Sequence, residues 1–219
     1  MTPRVIVAVD GAAGSGKSTL ARGLARCLGV AYVNTGLMYR ALAAASIGSN
    51  VDPEDAQRLF DLAQRLRFTL RGDDPPELQV EGYVAADLMS QDVESRVSLV
   101  SRHPVVRTVM RDEQRALGAY GAVMEGRDIA TVVFPDAPLK LFLRADPDRR
   151  VDRRADERGA DDADAVGKAL QQRDERDART NPLAPAPGAI VIDTTNRSIE
   201  QTLDAALEAA RRVWPAERA

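Results

Sequence analysis

Gly11-Ala12-Ala13-Gly14-Ser15-Gly16-Lys17-Ser18 is the stretch on which the reading of this 219-residue chain turns. It fits the pattern G-x-x-x-x-G-K-[ST]. It follows an apolar, β-rich run over residues 4–10 and opens residues 18–28, where apolar side chains recur at helical spacing. Strand, glycine loop and helix in that order make a phosphate cradle: small residues let successive backbone N–H groups converge on a polyphosphate, and the helix adds the positive end of its dipole. The nucleotide-binding loop is therefore expected to comprise Gly11, Ala12, Ala13, Gly14, Ser15, Gly16, Lys17, Ser18 and Thr19. Lys17 supplies a compact charge suited to the β/γ-phosphates, and the Ser18 hydroxyl suits Mg²⁺. Of the 30 Lys plus Arg, only Lys17, Lys140 and Lys168 are lysine, so a lysine in the loop stands out against the chain's default cation.

Outward from the loop, residues 31–34 read as a short strand and residues 39–46 and 53–67 as helices. Residues 68–71 and 78–84 are β-like pieces separated by Gly72-Asp73-Asp74-Pro75-Pro76, which predicts a small antiparallel insert. Helices follow at about 92–100 and 104–117, the second with Pro104 in its first turn. Residues 122–125, 139–143 and 189–192 are apolar runs without polar alternation, the pattern of parallel strands covered on both faces. Residues 146–179, dense in Asp and Arg and poor in large apolar side chains, predict helices that form a lid. Ser198 is placed to cap a last helix through Val213, with Leu203 and Leu207 four apart and Trp214 anchoring its end. The fold class is α/β.

Composition narrows the function. Asp plus Glu number 33 against 30 Lys plus Arg, a net charge of -3 that disfavours binding to nucleic acid or an anionic membrane. Hydrophobic residues at 44% and charged residues at 29% describe a soluble globular protein. The apolar run 5–9 is too short for a bilayer and is closed by Asp10, with no cleavage pattern behind it, so a cytoplasmic protein is expected. The single cysteine, Cys27, has no disulfide partner and falls near the Leu20, Leu24 and Leu28 stripe, which predicts a core position. His103, the only histidine, precedes Pro104 and is read as structural. No apolar strand ends in Asp-Glu and no N-K-x-D is present, which favours a small-molecule kinase over a mechanical ATPase or a GTPase. A P-loop switch acting on a protein partner is the alternative from another class.

Four further segments carry a resemblance. Asn34-Thr35-Gly36-Leu37-Met38-Tyr39-Arg40, Gly126-Arg127-Asp128-Ile129-Ala130-Thr131-Val132-Val133-Phe134-Pro135-Asp136-Ala137, Arg173-Asp174-Glu175-Arg176-Asp177 and Asp193-Thr194-Thr195 follow Asp10 and the glycine loop in an order that closely resembles bacterial cytidylate kinases. The resemblance implies a nucleoside monophosphate kinase-like fold: a five-stranded parallel sheet flanked by helices, a small antiparallel β insert and a helical lid. It implies one kinase domain over 1–219, with a core of about 1–35, 101–145 and 180–219, a monophosphate-binding region at 36–100 and a lid at 146–179. The implied reaction is transfer of a phosphoryl group from ATP to CMP or dCMP with Mg²⁺ as cofactor, by a monomer. A kinase for another nucleoside monophosphate or a small metabolite is the alternative within the class.

By the same resemblance Ser98, Arg107 and Asp128 hold the cytosine ring, whose amine donor and ring acceptors suit a carboxylate beside hydroxyl and guanidinium donors. Ser98 capping its helix and Asp128 bracing Arg127 are the alternatives. Arg40 and Arg127 match arginines on the monophosphate, Thr35 and Tyr39 line that pocket, and Arg173 and Asp177 match ribose contacts or form an i,i+4 ion pair. Arg150, Arg153 and Arg154 match a lid pattern over the ATP phosphates or are surface charge, and Arg179 matches a phosphate-binding arginine through an altered spacing before Pro182. Asp10 either orients Mg²⁺ through water beside Ser18 or caps the loop. Asn34 stands where the family carries aspartate, and Ala130 where it carries glycine. Lys17, Arg127, Arg40 and Arg154 are the candidate catalytic charges, since an ionised acceptor phosphate needs positioning and neutralisation rather than a base.

Overall fold

The computed structural model describes residues 5–158 and 162–215. Arg4, the expected start of the first strand, and residues 159–161 of the expected lid lie outside the described residues. Strand β1 (Ile6–Gly11) is buried at every position and lies at the centre of the parallel strands. It pairs in parallel with β5 (Ala122–Gly126) on one side and with β6 (Leu139–Arg144) on the other. Strand β2 (Ala31–Asn34) lies outside β5, and β7 (Ile190–Asp193) outside β6, which completes five parallel strands. The expected antiparallel insert is the pair β3 (Phe68–Arg71) and β4 (Glu77–Val80). It does not form a separate layer. Tyr32 pairs in parallel with Glu77, and the Tyr32 N–H donates to the Pro76 carbonyl at 2.8 Å, so the sheet grows to seven strands in the order β3-β4-β2-β5-β1-β6-β7. The outer edge of β2 would otherwise present unpaired backbone groups.

The unbroken apolar runs follow from coverage on both faces. Ile6 and Ala8 of β1 join Val33, Met38, Leu42 and Met124 in one buried cluster, while Val7 and Val9 join Leu24, Val123, Leu141 and Ala206 in the other. Helix α1 (Lys17–Leu28) turns Leu20, Ala21, Leu24 and Ala25 inward and ends at Gly29. Cys27 is exposed, correcting the expected core position: it sits at the flank of this stripe in the last turn, where no neighbouring element covers it. Helix α2 (Thr35–Gly48) starts directly after β2, four residues earlier than its apolar pattern predicts. Helix α3 (Ala56–Arg65) is capped by Asp55, and α4 (Gln91–Ser101) by Ser90. Helix α5 spans Pro104–Leu117. At its start, His103 hydrogen-bonds the Pro53 carbonyl at 2.7 Å, the structural position expected of it.

The Arg- and Asp-rich segment forms α6 (Pro147–Arg158) and α7 (Ala163–Thr180). Helix α8 (Ile199–Val213) opens with a full capping box between Ser198 and Gln201, and Leu203, Leu207 and Trp214 pack against the second cluster. Among the described residues no helix is long and apolar enough to cross a membrane. Between β5 and β6 the chain makes one π-helical turn, Ile129–Val133, which the sequence reading did not anticipate. Ala130 sits in it without strain, since Asn50 is the only non-glycine residue at positive φ among those described.

Gly11 ends β1 at φ +149°, and a Cβ there would lie 2.3 Å from the Leu143 carbonyl oxygen of β6. Gly29, at φ +64°, has nothing within 4 Å of its would-be Cβ. Gly29→Ala is therefore expected to cost about 1 kcal/mol from backbone strain alone. Gly11→Ala adds a backbone clash and is expected to cost about 3 kcal/mol or more. Urea unfolding of the two variants measures the difference, and equal losses would contradict a close β1–β6 contact at the loop.

Candidate active site

The loop after β1 sits at the carboxyl ends of the parallel strands, where the crossover connections leave a crevice. Gly14 and Gly16 adopt φ +73° and +87°, which turns the chain sharply into the first turn of α1. Lys17 is buried, and its Nζ donates to the Ala12 carbonyl of its own loop at 2.6 Å. Burial, with the neighbouring Arg127 charge, pulls its ammonium down to about 7, against the opposing attraction of Glu125 and Asp10.

Ser18 Oγ donates to Glu125 Oε2 at 3.0 Å, and Glu125 Oε1 accepts the Tyr32 hydroxyl. Glu125 is the buried penultimate residue of β5, brought 107 residues across the sequence to the loop by the β1–β5 pairing. The sequence reading passed over it because it lies inside an apolar run with no spacing that links it to Ser18. Asp10 engages the π turn after β5. Its two carboxylate oxygens accept the Ile129 and Ala130 backbone N–H groups at 2.9 and 2.8 Å, so it caps the π turn instead of the glycine loop. Burial outweighs these bonds and raises its carboxyl to about 6.

A cavity of about 220 Å³ runs from the loop to helices α4, α5 and α7. Ala13, Gly14, Gly16, Lys17, Ser18 and Thr19 line one end. Thr35, Tyr39, Ser98, Arg107 and Asp128 line the other, with Arg40, Arg127, Arg154, Arg173 and Asp177 on its wall. Gly11, Ala12 and Ser15 lie behind this surface, as does Asp10. Arg150 and Arg153 also stay outside it: Arg150 donates to Asp174 at 2.5 Å and to the Ala13 carbonyl at 3.3 Å, while Arg153 donates to the Thr194 hydroxyl and carbonyl. Arg150 thus ties α6 to the loop, and Arg153 ties it to the residue that follows β7. Thr194 completes that fastening by donating to the Ser15 carbonyl at 3.0 Å. Arg179 points to a second cavity beyond Arg107, and Arg176, not singled out from sequence, lines the first in its place.

The arginines on the wall are held by carboxylates. Arg107 pairs with Asp128, and Arg127 pairs with Asp177 at 3.0 Å while also donating to the Gly11 carbonyl. Ser98 Oγ donates to Asp177 at 3.2 Å. Arg154 and Arg173 each lie 2.9 Å from Glu94 Oε1, with Arg40 at 3.7 Å. The Arg173–Asp177 ion pair, the alternative to ribose contacts, is long, at 3.9 Å. Burial and the adjacent Arg127 charge lower the Arg173 guanidinium, and burial raises the Asp128 carboxyl despite Arg107 beside it. Asn34 stands at the N-cap of α2 without a capping side-chain bond and faces the cavity. Among the described residues no group of three or more His, Cys, Asp or Glu could cage a metal. The Ser18–Glu125 pair fits an ion of the Mg²⁺ type, which takes one or two protein oxygens and fills its remaining positions with phosphate and water.

Such a cavity, a phosphate loop at one end and an Arg–Asp pair at the other, suits two anionic ligands placed end to end. Residues 7–212 match the family model for cytidylate kinase. The cytidylate kinase of Streptomyces avermitilis is 40% identical over 210 residues, covering 92% of this chain and 90% of that protein. That of Roseiflexus castenholzii is 42% identical over 218 residues, covering 93% and 92%. That of Mycolicibacterium paratuberculosis is 40% identical over 214 residues, covering 93% and 94%. With the model spanning nearly its whole length and relatives of this identity covering it end to end, the chain belongs to the cytidylate kinase family.

Proposed function

We propose that the chain transfers the γ-phosphoryl group of ATP directly to the phosphate of CMP or dCMP. The observation that carries this reading is the single cavity in which Lys17 and Ser18 share a wall with Arg40, Arg127, Arg154 and Arg173 and a far end with Arg107 and Asp128. The donor phosphates occupy the loop end, where backbone N–H groups, Lys17 and the start of α1 meet them. Arg40 and Arg127 take the acceptor phosphate, and Arg154 takes the group in transit. The acceptor oxygen is already ionised near neutral pH, so the side chains position and neutralise and no general base is required. As the transferring group loosens, cations around its equatorial oxygens stabilise the transition state more than the ground state. Mg²⁺, held by Ser18 and Glu125 together with the donor phosphates, supplies charge neutralisation at those phosphates.

At the far end the cytosine amine donates to Asp128, and Arg107 and Ser98 donate to the ring acceptors. Arg107 then exchanges part of its pairing with Asp128 for the base, and Ser98 turns from Asp177. Uracil would bring a carbonyl oxygen to Asp128, a buried mismatch costing about 1–3 kcal/mol. Helices α6 and α7, within the segment 146–179 expected to form a lid, act as that lid over the donor phosphates, and their closure excludes water as a competing acceptor.

ADP release from ATP·Mg²⁺ is expected with CMP and dCMP, weakly with UMP, and not with AMP or shikimate; acceptor-independent release would instead support a nucleotide switch. Asp128→Asn is expected to reduce the CMP-to-UMP ratio of kcat/KM by about tenfold. Because bound polyphosphate restores the Lys17 charge, nucleotide binding should take up protons above pH 7, with affinity rising as pH falls toward 7 and levelling below it. Calorimetry in buffers of different ionisation enthalpy measures the uptake, and Lys17→Met should abolish it. Glu125→Gln is expected to cut metal-supported turnover about 10- to 100-fold and to shift the Mg²⁺ titration upward. An unchanged titration would remove Glu125 from that role.

A further inference from the structure

Three of the cavity's arginines come from separate helices: Arg40 from α2, Arg154 from α6 and Arg173 from α7. All three reach the same atom, Oε1 of Glu94 on α4, at 3.7, 2.9 and 2.9 Å. The Glu94 side chain is 15% exposed and Glu94 is not part of the cavity lining, whereas all three arginines are. Glu94 thus stands behind the cations that face the ligands. Like charges so arranged repel through a poorly screened medium, and a carboxylate at their common point is the arrangement that gathers them. The same α4–α7 contact carries Ser98 to Asp177 and Arg176 to the Ser95 carbonyl at 3.4 Å, so Glu94 is a charge that α4 brings to its seam with the lid helices.

We propose that Glu94 is a positioning residue for phosphoryl transfer, holding Arg40, Arg154 and Arg173 as one cluster so that the lid arginines are in register with the acceptor phosphate before either nucleotide binds. This rests on the kinase reading above and adds to it a residue that touches neither substrate. A carboxylate in this place has two opposed effects. It draws cationic charge away from the ground-state phosphates, and it fixes the geometry in which those cations meet the transferring group. Its removal should lower kcat while leaving acceptor affinity unchanged or improved, a split that a general loss of structure does not produce.

Glu94→Gln, which keeps size and one acceptor oxygen but loses the charge, tests this. The expected result is a fall in kcat of about 10- to 100-fold with KM for CMP unchanged or lower, and partial recovery in Glu94→Asp. Hydrogen–deuterium exchange on the nucleotide-free protein gives a second readout that needs no reaction. Amides of residues 162–180 should exchange faster in Glu94→Gln, while those of β1 and β5 stay as in the wild type. Unchanged exchange in α7 overturns the proposal, as does faster exchange with kcat within twofold of wild type. Faster exchange that extends to β1 and β5 also overturns it, by showing a structural role. A wild-type protein without CMP-dependent ADP release would instead defeat the substrate assignment, and the exchange result would still decide whether Glu94 gathers the lid arginines.

Discussion

Like charge crowded into a small volume is the constraint around which this molecule is built. Lys17, Arg40, Arg127, Arg154 and Arg173 all border one cavity of about 220 Å³. Their mutual repulsion in a partly dehydrated crevice would drive them apart unless it is opposed from within the fold. Asp177 opposes it at Arg127, Asp128 at Arg107, Glu94 at the lid arginines, and Glu125 near Lys17. Removing one partner of such a buried pair leaves a charge uncompensated, which is why these carboxylates matter more than the many surface pairs. Arg212–Glu208 and Arg149–Asp152, with side chains more than half exposed, belong to the weak class.

The depressed ammonium of Lys17 records the same constraint. For this buried cation, desolvation and the Arg127 charge outweigh the attraction of Glu125 and Asp10, and its Nζ donates to the Ala12 carbonyl. On the proposed reading, a bound polyphosphate would supply the charge that Lys17 lacks in the protein alone. Asp10 shows the complementary solution: a buried carboxylate that accepts two backbone N–H groups and so holds the turn that directly follows Arg127 and Asp128.

Much of the fold is legible locally. The glycine loop announces its own geometry, and the apolar runs of β1, β5 and β6 report burial on both faces. Pro104, Ser198 and Gln201 mark helix starts through backbone chemistry that depends only on near neighbours. What eluded the reading depends on partners distant in sequence. Glu125 lies within an apolar strand and acquires meaning only when β5 aligns beside β1. Glu94 looks like a first-turn helix acid, and the three arginines that define it are up to 79 residues away. Arg150 and Arg153 match a motif, yet Arg150 is engaged by Asp174 and the Ala13 carbonyl and Arg153 by Thr194, partners that no spacing within α6 foretells. Cys27 shows the limit of helical periodicity at the end of an element, and the attachment of β4 to β2 hangs on a single register pair that pattern cannot forecast.

The order of the strands has a consequence for synthesis. The phosphate loop precedes its supports in the chain: β5 and β6 flank β1 from more than a hundred residues downstream, and Thr194 braces the Ser15 carbonyl across 179. A nascent chain therefore carries an apolar first strand with neither neighbour in place until most of the polypeptide has been made. The nucleotide loop can take its final shape only after those downstream supports have been made, and until then β1 is exposed to misassembly.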